Sequence, residues 1–542
     1  MDSNKRIYLD GIDKSLLEKC KQRIIVISVV FFVTFLIVNI QLIKLSHPFK
    51  EKEITLNNII KNEKRGKILD RNGNILAVSL PTWSLYSNNH KVINPRIVAK
   101  KINNILPNLE EEIILNKFMS DKRFTYIARH LEPNIAKKIN KIGEPGLNFE
   151  KEFLRIYPYN EEISHIVGYV GKGKNGLSGI ELKYNERLSN GEDIYLTIDS
   201  RIQYKLNKIL NQGFDIYKYK GAVGIVMNAK NAEIIAAVSL PSFSPNIYNN
   251  FSPTINQITA AVFELGSIFK SFTIASSLNE DLIKIDNTYD ATKPLILNNK
   301  KIRDDHPKNK FLNFKEIFVY SSNIGSALIA LNLGKEKQTY YFNKLKLDTI
   351  LDTGIPEVQY PLIQESNRDI HIATKSYGHG ISVSPLNAIA ALNATVNDGK
   401  FIEPLFVIDK KYYDRPYIQV FKKNVSNIMR KLYRDVVENE GGTAKKVQSE
   451  HYIVGGKTGT AIKVVDGVYN HKKVVSSFIS FLPIEDPKYT IFILVDEPKA
   501  TGNILGRTAG FNAVPLTKDL ISEIAPILSE KSITYNEIHS KN

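Results

Sequence analysis

The 542-residue chain has one cysteine, Cys20, so it can form no internal disulfide and no cysteine-based zinc site. Neither His-Glu-x-x-His nor Cys-x-x-Cys occurs, which leaves a metal mechanism without ligands in a recognisable spacing. No cofactor is implied. Basic residues are abundant, 73 Lys and Arg against 56 Asp and Glu, giving a formal charge of +17, but they are spread along the chain. No basic run is interleaved with aromatics, and this argues against nucleic-acid recognition; the milder implication is weak attraction to an anionic envelope surface. Long apolar runs are scarce. After Ile24–Ile43 none of comparable length follows, so the rest of the chain is expected on one side of a membrane.

That run, IIVISVVFFVTFLIVNIQLI, carries no charge and has about the ~20 residues that a helix needs to cross a bilayer. Lys19, Lys21 and Arg23 precede it and favour a cytoplasmic N-terminus, although Lys44, Lys50 and Lys52 follow it. No small-x-small pattern succeeds it, so an uncleaved anchor is expected. The remainder, in a chain 43% hydrophobic, is long enough for two or three packed domains.

Arg65–Ser79, RGKILDRNGNILAVS, places the turn signal Asp70-Arg71-Asn72-Gly73 between two short apolar runs and predicts a hairpin. Pro95 to Ile142 has a helical period and is polar, with a Pro145-Gly146 turn after it. Together these segments predict a mixed α+β module without an obvious active site. Gly171, Gly173 and Gly176 form GxGxxG, with Glu192 or Asp193 near the distance of a ribose-binding acid. Gly179 interrupts the helix a dinucleotide site requires, so a glycine-rich loop is expected instead.

From Gly221 the pattern changes. GAVGIVMNAKNAEIIAAVS predicts a hairpin about Asn228 to Asn231, and IVGGKTGTAI, VVSSFISFL and TIFILVDEP predict further antiparallel strands. SSNIGSALIALNLG predicts a turn running into a helix, and YGHGISVSPLNAIAALNATVNDG a glycine-punctuated loop before a small-residue helix. A sheet flanked by helices follows, with the site between sheet edge and helices.

Within it, AVFELGSIFKSFTIASSL spaces Ile268, Phe272, Ala275 and Leu278 as the core face of an amphipathic helix and leaves Ser267 and Lys270 together on the other. A serine hydroxyl is a weak nucleophile unless a base lies within hydrogen-bond reach, and a lysine one turn away can be that base if it first loses its proton. Burial or a second cation nearby would bring its pKa down. Two motifs accompany the pair: Ser321-Ser322-Asn323 and Lys457-Thr458-Gly459-Thr460. Strand alternation puts Thr458 and Thr460 on one face and obliges Lys457 to reach round the strand edge. Gly459 leaves that edge clear for a peptide added as a strand. Gly455-Gly456-Lys457-Thr458 also resembles the end of a phosphate-binding loop, but His451 stands where such a loop needs a glycine.

The ordered triplet Ser-x-x-Lys, Ser-x-Asn, Lys-Thr-Gly resembles the signature of penicillin-binding proteins and class A β-lactamases. With the anchor, RGKILDRNG, ARHL at Ala128, RIYP at Arg155, HIVGYVG at His165, LTIDSRIQ at Leu196, PSFSPN at Pro241 and VDEPK at Val495, nearly the whole chain is similar to a class B penicillin-binding protein. The SSNIG form resembles the division enzymes, since elongation enzymes more often place Cys-Asp after that serine. Leu265 and Ile268 depart from the family's Glu-Pro-Gly-Ser-Thr-Phe-Lys, and LGRTAGFNAVP from Leu505 is looser than its Thr-Ala-Ala-Pro pattern.

The resemblance implies an α+β architecture: a cytoplasmic tail (1–23), a single transmembrane helix (24–43), an N-terminal pedestal, dimerisation-like (44–210), a β-lactamase-like transpeptidase domain (211–530) and a C-terminal tail (531–542). It implies a peptidoglycan D,D-transpeptidase of septal wall synthesis, held in the bacterial cytoplasmic membrane with its body outside. Ser267 would attack the penultimate D-alanine carbonyl of a stem peptide, with Lys270 as general base. Ser321 would relay a proton to the leaving amine, while Lys457, as second cation, lowers the pKa of Lys270 and orients Ser321. Asn323 would bind the donor's amide, Thr458 and Thr460 its carboxylate, and the N–H groups of Ser267 and Thr460 would form the oxyanion hole. β-Lactams would acylate Ser267, and a membrane glycosyltransferase and other division proteins would be partners. The alternatives are a D,D-carboxypeptidase, a β-lactamase, an elongation-type transpeptidase, or a non-catalytic division scaffold or β-lactam sensor.

Overall fold

A computed structural model describes residues 14–46, 64–247, 254–364, 367–408, 415–465, 467–500 and 506–529. The expected C-terminal tail and residues 1–13 lie outside these. Lys14–Ser46 is one helix containing a stretch, Lys21–Gln41, long and apolar enough to cross a membrane. Its internal polar side chains turn back on the helix: Thr34 Oγ1 donates to Val30 O at 2.5 Å and Asn39 Nδ2 to Phe35 O at 2.8 Å. In hydrocarbon, where nothing else would satisfy them, such bonds remove the cost of bare donors.

Lys64–Asn542 is a second compact unit. It opens with the expected hairpin, Ile68–Leu69 against Ile75–Ser87. Asp70 builds the turn by accepting the Asn72 and Asn74 N–H groups, both at 2.8 Å, and Gly73 sits at φ +85. The second strand is 13 residues long and also pairs with Thr125–Leu131 and Leu147–Ile156. Thr125–Leu131 corrects the sequence expectation. The polar helical stretch from Pro95 to Ile142 is instead the helices Pro95–Ile105, Glu111–Phe118 and Pro133–Asn140 with this strand among them. The β-forming run Thr125-Tyr126-Ile127 overrides the surrounding helical period.

The family-like segments of this module prove to be its ion-pair framework. Arg65 and Arg155 hold the two oxygens of fully buried Glu181 at 2.5 and 2.7 Å, Arg155 Nη1 donates to Gly66 O at 2.7 Å, and Arg129 pairs with Glu152. Gly171, Gly173 and Gly176 form a tight loop, as expected. A Cβ on Gly176 would stand 1.9 Å from Glu181 O, so this glycine is needed for close packing against the chain.

The second half is built on a five-stranded antiparallel sheet ordered Gly455–Val465, Val468–Leu482, Tyr489–Asp496, Gly221–Asn228, Ile234–Leu240. Its central strands are apolar on both faces because both are covered. Gly224 faces Leu206 and Leu210 of helix Ser200–Tyr217, while Thr490, on the other face, donates to Asn393 of helix Pro385–Ala394 at 2.7 Å. The boundary expected at 210/211 falls inside helix Ser200–Tyr217, which packs on this sheet and on Ala513–Ser529. One apolar core runs from Ile68 and Leu76 in the hairpin through the sheet to Ile524; a smaller one, around Leu85, Val98 and Ile114, fills the outer pedestal.

Candidate active site

Ser267 lies in a single 3₁₀ turn, Gly266–Phe269, which leads directly into helix Lys270–Asn279. This helix is not amphipathic as expected. Every residue from Lys270 to Leu278 is buried, because the helix runs through the middle of the domain against Phe314–Tyr320, Asn323–Leu333, Lys335–Lys344 and Lys423–Glu438. Its small polar side chains fit those close crossings; Thr273 donates to Ser376 O at 3.0 Å, whereas Ser277 Oγ is buried without a hydrogen-bond partner among the described residues. Leu265, in place of the family's proline, sits at φ −104, outside the range proline's ring permits.

The three motifs converge. Lys270 Nζ stands 2.9 Å from Ser267 Oγ, 2.7 Å from Ser321 O, 3.1 Å from Ser321 Oγ and 2.7 Å from Asn323 Oδ1. An ammonium has three N–H bonds for these four oxygens, and two of the oxygens can only accept. A neutral amine that donates to Ser321 O and Asn323 Oδ1 keeps its lone pair for a serine hydroxyl, which is what a base for Ser267 requires. Lys457 does reach round its strand: Nζ donates to Ser321 Oγ at 3.1 Å and lies 5.6 Å from the centre of the Phe318 ring. The Ser321 hydroxyl is thus held between two buried amines.

Ser321 can occupy that place because helix Phe314–Tyr320 ends on it in the left-handed conformation, φ 60 and ψ 43. Such a conformation costs an ordinary residue roughly 1–2 kcal/mol and persists only where the surroundings enforce it. Asp304 enforces it here. Its carboxylate caps the following helix, accepting from Asn323 N at 2.6 Å, Ile324 N at 2.9 Å and Ser322 Oγ at 2.8 Å.

Burial is the first cause of the lowered pKa of Lys270, brought down to about 7 against the opposing pull of Asp304 and Asp305. The expectation named Lys457 as the cause; burial is the larger one. Lys457 is itself pushed well below the usual lysine range, by burial and then by the charge of Lys270, and the repulsion between two such cations acts on both.

The remaining motif residues divide. Asn323, expected on the substrate, spends its Oδ1 on Lys270 and its Nδ2 on Arg303 O at 3.0 Å. Thr458 Oγ1 lies 2.6 Å from Thr443 Oγ1, and Thr460 Oγ1 accepts from Ala509 N at 3.4 Å. Gly459 is demanded by the protein's own packing, since a Cβ there would come within 2.3 Å of Leu265 O. Gly266, at φ +59, lies against the Thr460 peptide: a Cβ would stand 2.2 Å from Thr460 O and 3.1 Å from its N. Lys457 and Thr458 lie in a strand, so the phosphate-loop resemblance ends there.

Sequence reasoning missed Asp304, Thr443, Glu264 and His379. Two carried a signal: Glu264 is the first residue of the Glu-Pro-Gly-Ser-Thr-Phe-Lys pattern, and His379 stands between glycines in Tyr377-Gly378-His379-Gly380.

Residues 222–522 match the family described as penicillin binding protein transpeptidase domain, and residues 60–201 the penicillin-binding protein dimerisation domain. The chain belongs to the penicillin-binding protein transpeptidase family. It is 33% identical over 486 residues to "Probable peptidoglycan D,D-transpeptidase FtsI" of Caulobacter vibrioides, a match covering 87% of this chain and 82% of the relative. It is 28% identical to "Probable peptidoglycan D,D-transpeptidase PenA" of Neisseria gonorrhoeae over 82% of each chain. It is also 28% identical to "Stage V sporulation protein D" of Bacillus subtilis over 96% of this chain and 88% of that one. A crystal structure of penicillin-binding protein 2X from Streptococcus thermophilus shares the fold, with TM-score 0.75 and 22% identity over 88% of this chain and 81% of that one.

Proposed function

We propose that this chain is a serine D,D-transpeptidase that cross-links peptidoglycan stem peptides during septal wall synthesis. The observation that carries the reading is Ser267 Oγ at 2.9 Å from the buried Lys270 amine, with Ser321 Oγ 3.1 Å from both lysine amines. Ser267 gives its proton to Lys270 as its oxygen bonds to the penultimate D-alanine carbonyl. The resulting oxyanion is held by the N–H groups of Ser267 and Thr460, whose residues Gly266 brings together. The C–N bond to the terminal D-alanine then breaks, and Ser321 protonates the leaving amine and recovers its proton from the lysines. Asn323 positions Lys270, and Thr458 and Thr460 receive the donor's terminal carboxylate. Similarity to relatives named FtsI and the SSNIG form both support the division type. The apolar helix anchors the chain with its body outside the membrane, where donor peptides and a membrane glycosyltransferase partner would meet it.

Incubating the full chain in detergent with a penicillin should add one drug mass, mapped to the peptide that contains Ser267. An adduct elsewhere, or none, overturns the assignment. D-Alanine release that rises when an acceptor amine is supplied separates transfer from carboxypeptidase action.

The rate of that acylation should climb about tenfold per pH unit in acid and level off above about pH 7, since only neutral Lys270 can take the proton. Asp304→Asn removes a charge that holds the Lys270 proton on, so the rise should move to lower pH. Stopped-flow acylation across pH 5 to 9 checks both; a rise displaced upward in the variant contradicts the assigned sign.

A further inference from the structure

Beside the nucleophile lies a second group of polar side chains that the acylation step does not use. Glu264, three residues before Ser267, accepts the Gly380 N–H on Oε1 at 2.7 Å, and Tyr469 OH approaches the same oxygen at 3.5 Å. Its other oxygen, Oε2, is shut off from solvent and has no hydrogen-bond partner among the described residues. His379 precedes Gly380 in the chain, and its ring lies 5.3 Å from that of Tyr377 and 5.9 Å from that of Tyr469, the tyrosine whose hydroxyl approaches Glu264. His379 Nδ1 is likewise buried and makes no hydrogen bond of ordinary geometry. The loop that carries it presses on the nucleophile turn: a Cβ on Gly378 would lie 2.2 Å from Gly266 O.

A cavity of about 190 Å³ opens at Glu264, between Phe263 and Ser382 on one side and Ile462 and Lys463 of the edge strand on the other. Lys463 brings no free charge to it, being paired with Asp496 at 2.7 Å and Glu497 at 2.8 Å. The uncommitted group in the cavity is therefore the Glu264 carboxyl, whose pKa burial raises and a nearby cation would bring back down. A buried carboxylate oxygen without a partner is costly unless a ligand satisfies it, and the Tyr469 ring beside it suits a cation.

We propose that Glu264, His379 and Tyr469 form the acceptor subsite: Glu264 takes the incoming stem-peptide amine as its ammonium ion, and His379 Nδ1 accepts the proton it must shed before attack. This rests on the transpeptidase reading above. The deprotonated nitrogen bonds to the acyl carbon and the ester bond to Ser267 Oγ breaks. The second amine proton passes through Lys270 to Ser267 Oγ, and the proton on His379 leaves to solvent. Neutral His379 is the competent form. Burial and the charge of Lys270 push its pKa down, while the Tyr377 carbonyl and Asp305 oppose them; Tyr377 and Tyr469 are the titratable rings against it, and Glu264 lies beyond Tyr469.

The test follows the acyl-enzyme formed from a thioester analogue of an acyl-D-alanyl donor, with glycine amide or a D-amino acid as acceptor. Aminolysis and hydrolysis products are counted for the parent chain, Glu264→Gln and His379→Gln. Glu264→Gln keeps the oxygen that Gly380 needs, and it should raise the acceptor KM about tenfold. His379→Gln should lower aminolysis about 10²-fold, the low end of general-base effects, and abolish the acid limb of its pH profile. In both, the product ratio should shift to hydrolysis while acylation by a fluorescent penicillin reports that the nucleophile is in place. A ratio unchanged in both variants, or acylation and aminolysis falling in parallel, overturns the subsite. A parent chain that never acylates overturns the transpeptidase reading instead.

Discussion

Lys270→Met is expected to lose penicillin acylation by roughly 10²–10⁴-fold, the range of a general base, and to melt no lower than the parent. The two expectations have one origin. Lys270 is wholly buried and its proton is lost near pH 7 rather than near 10.5, so folding holds this side chain far from its preferred state. Each pH unit of that displacement costs about 1.4 kcal/mol. The folded pKa is depressed and the group is a base, so the cost is full below about pH 7, where both states are protonated, and fades as pH rises from there toward 10.5. Methionine fills similar volume without it, at the expense of leaving Ser321 O and Asn323 Oδ1 without the Lys270 donor. Calorimetry beside stopped-flow acylation reads both. A variant that acylates normally removes Lys270 from the mechanism, and one that melts far below the parent assigns the lysine a structural role.

Gly266→Ala should be as damaging by another route. The position has φ +59, where an alanine costs about 1–2 kcal/mol, and the new methyl would stand 2.2 Å from Thr460 O. Backbone cannot yield as a flexible side chain does, so the nucleophile turn and the edge strand must part. That separates the two N–H groups proposed as oxyanion donors, and losing one such donor costs roughly 10²–10³-fold in rate. Gly467→Ala is the matched control: its φ is +79, yet nothing lies within 4 Å of the added carbon. It should lose stability only and acylate at the parent rate. Equal acylation by both variants would sink the argument from the close approach.

The residues of the site were legible because their chemistry demands particular side chains at short spacings. Ser267 and Lys270 are one turn apart, and both Ser321 and Lys457 belong to motifs that keep their order along the chain. The sheet was legible too, since apolar runs bounded by turn residues have few other readings. What stayed hidden depends on contacts distant in sequence. Nothing in Lys301-Ile302-Arg303-Asp304-Asp305 marks Asp304 as the cap that fixes Ser321, for that role exists only once helix Asn323–Leu333 lies beside it. The burial of helix Lys270–Asn279 on every side was masked by its serines and threonines, which look like a wet face but fit where helices cross closely. Asp304 and Asp305, whose charges oppose the loss of the Lys270 proton, are likewise brought near only by the fold.

The shared interior that links the hairpin at Ile68 to the sheet bears on how the molecule can be handled. A soluble fragment begun at the first catalytic strand, Gly221, would discard helix Ser200–Tyr217 and bare the apolar surface that Leu206 and Leu210 cover at Gly224. It would also lose the Asp70 carboxylate that receives Ser200 Oγ at 2.7 Å. Any secreted version of the catalytic half must therefore start upstream of Arg65 and carry the pedestal with it.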